Sequence, residues 1–117
     1  GEAAKRAVGD GVNQIPDMSL WSSGTNWRRT PDGYIEQWGM SPVADANGQA
    51  IITFNIPFPS ACLSIELAEI TNYTVGQSGA AAVRTWGVMG NTITRESVRI
   101  QNGQNIAEQA YWRALGK

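Results

Sequence analysis

At 117 residues the chain holds a single domain, and with 42% hydrophobic but only 16% charged residues its surface must rest on Ser, Thr, Asn, Gln and Gly. A net charge of −1 gives no general attraction to nucleic acid or anionic membrane, and no apolar run approaches the ~20 residues that cross a bilayer. Histidine is absent and Cys62 is the single cysteine, which excludes histidine triads, a structural zinc site and an intrachain disulfide. Nothing in this composition calls for a cofactor or a metal.

The run Glu2–Val8 predicts two turns of helix, broken by Gly9-Asp-Gly11. Residues 12–26 carry Ile15, Met18, Leu20 and Trp21 but hold neither a helical nor a strand period. A segment this apolar without an element of its own needs a surface to pack on. The expected surface is the same segment in neighbouring chains, so residues 1–26 are read as a short helical or extended stem.

From Trp27 to the end at residue 117 the texture is that of strands. Trp27–Thr30 and Tyr34–Met40 form a hairpin about Pro31-Asp-Gly33, with Pro at the second turn position and Gly at the last. Ser41–Gly48 is a loop. In the next strand Ile52, Phe54, Ile56 and Phe58 face one way, while Ile51, Thr53 and Asn55 face the other. Pro57 and Pro59 stop it. Leu63, Ile65 and Leu67 alternate with Cys62, Ser64 and Glu66 in a further strand, where Cys62 reads as a small reduced thiol. Asn72–Gly79 is a polar loop. A strand over residues 80–89, a turn at Gly90-Asn91, a strand from Thr92 to Ile100, a reversal at Asn102-Gly103 and a last strand from Glu108 to Leu115 complete the chain. About seven short strands at this spacing predict a small antiparallel β-sandwich, with Trp38, Phe54, Leu63 and Trp112 in its core.

Binding chemistry is sought in the loops. Tyr73 stands beside Asn72, Thr74 and Gln77, so an aromatic ring and amide groups are combined as sugar recognition requires. The plain alternative is a solvated loop. Arg84 and Trp86 share a strand face and together suit an acidic sugar; the alternative is buried packing. Asp45 and Asn47 in one loop, and Asn102 and Gln104 in another, are further candidates. Asp45-Ala-Asn-Gly48 lacks the later ligands of a calcium loop and reads as a turn. Asp45, Glu66, Glu69, Glu96 and Glu108 are the acids available to a carboxylate-based depolymerase, and none lies in a recognisable motif.

Four pieces, in order, resemble the C-terminal tip domain of bacteriophage tail fibres and the similar tips of R-type bacteriocins. They are Ala3–Gly9 with Asn13–Ser19, the hairpin Asp32–Gly39, the apolar strand running into Pro57–Cys62, and the closing Tyr111–Gly116. Family members commonly end in an aromatic residue after the last Gly, whereas this chain has Lys117. The resemblance implies a non-catalytic homotrimeric knob at the distal end of a virion fibre. Its implied partner is a bacterial surface receptor, either a polysaccharide such as lipopolysaccharide or an outer-membrane protein. A trimerisation module of the fibre is the alternative of a different class. The resemblance carries over no receptor-contacting residue.

Overall fold

A computed structural model describes residues 21–70, 85–103 and 107–117. The predicted helix over 2–8 and the stem residues Ile15, Met18 and Leu20 lie outside the described residues. Eight strands are described: β1 (Ser22–Gly24), β2 (Trp27–Arg29), β3 (Ile35–Met40), β4 (Gln49–Thr53), β5 (Cys62–Glu69), β6 (Trp86–Val88), β7 (Ser97–Asn102) and β8 (Ala110–Gly116). All pairings are antiparallel. One sheet runs β1-β2-β3-β8-β5 and the other β4-β7-β6.

The two sheets share one core, so the sandwich expectation holds. Ile35 of β3 and Ala110, Trp112 and Ala114 of β8 come from the larger sheet; Ala50 and Ile52 of β4 and Val98 and Ile100 of β7 come from the smaller. Phe54 and Phe58, on the crossing between sheets, fill the gap. Their rings meet edge to face with centroids 5.0 Å apart, and Phe54 reaches Trp112 at 5.8 Å.

Turn chemistry fixes the hairpin as expected. The Gly33 amide donates to the Thr30 carbonyl at 3.0 Å, and Gly33 takes a φ of 91°, a conformation open to glycine. The Thr30 hydroxyl also bonds the Asp32 carboxylate, which holds that group below its ordinary pKa.

Four details differ from the sequence reading. First, Ser22–Gly24 forms an edge strand on β2 through a turn at Thr25-Asn26, with Asn26 at φ 60°, so part of the expected stem belongs to the sheet. Second, Leu63 is 57% exposed. A register shift between Cys62 and Ser64 adds a residue to β5 and turns Leu63 outward, leaving Cys62, Ile65 and Leu67 inward. Third, Trp38 faces solvent, because β3 buries Ile35 and Gln37 instead. Fourth, the strand expected from Thr92 begins only at Ser97. Gly90–Thr92 forms a 3-10 turn, and the Thr94 hydroxyl takes the amides of Glu96 (3.2 Å) and Ser97 (3.0 Å), an alternative to the ladder.

Gln37 explains why a polar residue sits in the core. Its Nε2 donates to the Ile56 carbonyl at 2.8 Å, and its Oε1 accepts from the Ile56 amide at 3.0 Å. One side chain thereby replaces a ladder partner and ties β3 to the crossing segment. Removing it would strand two backbone groups, each at about 1–3 kcal/mol where buried. Burial also pushes the Cys62 thiol above its ordinary pKa, in keeping with an unreactive strand residue.

Candidate functional site

Strand order sorts the connections onto two ends. The segments after β3, β5 and β7 leave from one end, where Met40, Ala68 and Glu69 pair with Tyr111 and Ala110, and Trp86 pairs with Asn102. The segments after β2, β4 and β6 occupy the other end. Trp21 enters there, next to the Ser22–Arg29 pair, and Lys117 is held there: its carbonyl accepts from the amides of Ser60 (2.7 Å) and Ala61 (2.9 Å). The Lys117 ammonium lies 4.8 Å from the Tyr34 ring centroid, a cation–π contact. All of the loops singled out from sequence thus spring from the end opposite to where the chain enters.

The described part of that loop end is braced from within. Asp45 Oδ1 accepts from the amides of Asn47 (2.8 Å) and Gln49 (3.0 Å), and the Gly48 amide donates to the Asp45 carbonyl at 2.9 Å. The Asp45 carboxylate therefore organises its own turn, leaving Asn47 exposed at the rim. Ser41 is buried; its hydroxyl accepts from the Ala110 amide at 2.9 Å, and Gln109 Nε2 donates to the Ser41 carbonyl at 2.9 Å. These bonds fasten the 41–48 loop to the start of β8. Beside them lies a hollow of about 240 Å³ lined by Val43, Ile70, Ala107, Glu108 and Gln109.

Two sequence candidates are corrected. Asn102 is fully buried, and its backbone N–H donates to the Gly48 carbonyl at 2.8 Å. It faces the core because β7 extends to include it, in phase with Val98 and Ile100. Trp86 packs against the core, and its indole Nε1 is buried with no partner among the described residues. Packing, the plain alternative, describes it. Asn72, Tyr73, Thr74, Gln77, Arg84 and Gln104 lie outside the described residues. Trp21 is 46% exposed at the entry end.

The acids are divided between the loop end, the outer face of the larger sheet and the entry end. Asp45 is committed to its turn, Glu66 pairs in register with Arg113 on the outer face of the larger sheet, and Glu96 sits at the entry end 3.8 Å from Arg95. Glu69 and Glu108 lie at the loop end, flanking the strand pair Glu69–Ala110. Among the described residues no cluster of three or more His, Cys, Asp or Glu could hold a metal ion.

Sequence reasoning missed the outer face of the larger sheet. Trp38, Met40, Tyr111 and Leu115 are exposed there, around an ion-paired group in which Glu36 accepts from Arg113 at 2.8 Å and from Arg28 at 3.0 Å. These solvated pairs add little stability. No signal in the sequence announced this face, because β3 buries Gln37 and exposes Trp38, which inverts the usual preference.

Comparison with known proteins supplies the identity. The P. aeruginosa R2 pyocin fibre C-terminal region is 30% identical with a TM-score of 0.63; the match covers 83% of this chain and 25% of that one. An N-truncated R2-type pyocin tail fibre is also 30% identical, with a TM-score of 0.62, 83% of this chain covered and 36% of that one. An N-truncated R1-type pyocin tail fibre, 24% identical with a TM-score of 0.59 and coverages of 83% and 84%, shares the fold. The chain thus spans about a quarter and about a third of the two R2 chains it matches. No curated protein matches the sequence. A family model described as "putative tail fiber protein gp53-like, C-terminal" matches residues 29–117, so the chain belongs to the family of gp53-like tail-fibre C-terminal domains.

Proposed function

We propose that this tail-fibre domain is a non-catalytic receptor-binding tip. It assembles as a homotrimer at the distal end of the fibre and attaches a phage or bacteriocin particle to a bacterial surface glycan, lipopolysaccharide being the leading class. The observation that carries the reading is polarity. The chain enters at Trp21, while the 41–48 loop and the connections that follow β5 and β7 spring from the opposite end. A domain held by its entry end therefore presents those loops outward.

Trimer formation is supported by an apolar groove of about 210 Å³ near the entry end. It is lined by Cys62, Leu63, Ile65, Val88 and Ile93, of which Leu63 and Ile93 are 57% and 41% exposed. A bulge that turns a leucine outward beside an exposed isoleucine suits a second copy of the chain. Three sites on one knob would raise a weak single-site affinity by orders of magnitude.

The test is competition. The purified domain, trimeric by light scattering, is expected to block adsorption of fibre-bearing particles to susceptible cells. Trimer formation without competition would favour a purely assembling module. Release of reducing ends from host polysaccharide would favour a depolymerase.

A further inference from the structure

Beside the loop end, β3 runs past the first residue of β2. The register of that pair ends at Trp27–Gln37, so no β2 residue covers Gly39 or Met40. The uncovered stretch opens a bent cleft. One limb, of about 280 Å³, lies between the sheets over Ile52, Thr53 and Asn55; the other, of about 380 Å³, continues onto the outer face over Trp38 and Tyr111. Both limbs share Asn26, Gly39, Met40 and Trp112.

Two polar groups in the cleft have no partner among the described residues. Asn55 Nδ2 donates both hydrogens, to the carbonyls of Asn26 (2.8 Å) and Trp38 (3.1 Å), which sets the amide plane, and no described residue donates to its Oδ1. Trp112 is 5% exposed, and among the described residues nothing accepts from its indole N–H. That Nε1 would lie 3.1 Å from a Cβ at Gly39, so the missing side chain keeps it open to the cleft.

We infer that this cleft is a binding subsite for one neutral pyranose residue, an assignment that rests on the glycan-attachment reading above. Adjacent sugar hydroxyls each donate and accept, and so suit an indole N–H opposite a fixed amide oxygen. Trp38 and Tyr111, 38% and 54% exposed, offer rings for the apolar face of a sugar. Among the described residues no charged side chain lines either limb, which favours a neutral sugar over a uronic acid.

The experiment follows the Trp112 indole N–H resonance, assigned with Trp112→Phe, in the otherwise unaltered 117-residue chain. Glucose, galactose, rhamnose and N-acetylglucosamine are titrated singly, with galacturonic acid as the charged control. At least one neutral sugar is expected to shift that resonance saturably in the millimolar range, and galacturonic acid is not. Trp38→Ala should weaken the shift-derived affinity at least tenfold with an unchanged unfolding midpoint. Absence of any shift in a protein that still blocks adsorption overturns the subsite and leaves the attachment reading standing. Failure to block adsorption as well overturns both. Equal shifts with galacturonic acid, or a resonance that responds only to protein concentration, overturn the subsite in favour of nonspecific binding or a subunit contact.

Discussion

Gly116→Val is expected to leave the domain unfolded. Gly116 is buried near the end of β8, and a Cβ there would stand 2.3 Å from Phe58 Cδ1 and 2.5 Å from the Ala61 carbonyl oxygen. The ring cannot retreat, because Phe58 is fully buried against Phe54. The carbonyl cannot retreat either, because it accepts from the Lys117 amide at 3.0 Å. Overpacking typically costs about 1–3 kcal/mol and more where neither neighbour can move, against the roughly 5–15 kcal/mol that holds a domain together. Gly87→Val is the control: nothing lies within 4 Å of its Cβ position, so the variant should stay folded. Circular dichroism and gel filtration of the two variants decide the matter. A folded Gly116→Val protein would mean that β8 does not end against Phe58.

Phe58→Ala is expected to lower stability by about 3–5 kcal/mol through the cavity it leaves. Phe58 is the largest fully buried side chain among the described residues, and it stands where the crossing segment passes between sheets. Its amide also donates to the Arg95 carbonyl at 2.9 Å, so the residue joins the β4–β5 crossing to the segment before β7. The check is the urea midpoint, with the slope unchanged if the transition stays two-state. A loss below 1 kcal/mol would show that the site collapses around the smaller residue or that the core lies elsewhere.

The parts of the fold legible in the sequence are those fixed by local chemistry. Pro31-Asp-Gly33 writes the hairpin, and the alternation through Ile52 and Phe54 gives the correct inward face. The parts that were not legible depend on long-range pairing. Ser22–Gly24 carries no apolar pattern, and only the exposed ladder of β2 makes it a strand. The bulge at Cys62–Ser64 reverses the phase of one leucine without any Gly or Pro to announce it. Gln37 looks like a surface residue until Ile56 arrives from 19 positions away with both backbone groups to satisfy.

The candidate site divides in the same way. Loop tips are easily found from Asn, Asp and Gly, but which of their side chains face outward depends on where a strand ends. Asn102 shows the cost: one extra residue in β7 moves it from rim to core. The cleft at Gly39 was invisible for a different reason. It exists because β2 is shorter than β3, and because a glycine stands opposite a tryptophan in the β3–β8 pair.

The central claim is that the domain meets its receptor with the end opposite to chain entry. In a Cys62→Ser background, a polyethylene glycol chain is attached through Asn47→Cys at the loop end or through Ser60→Cys at the entry end. Both positions are exposed, and Ser60 bonds the Lys117 carbonyl through its backbone amide. Each adduct then competes with fibre-bearing particles for susceptible cells. The account predicts that the Asn47 adduct loses competition while the Ser60 adduct competes like the unlabelled domain; loss at Ser60 with full competition at Asn47 would contradict it.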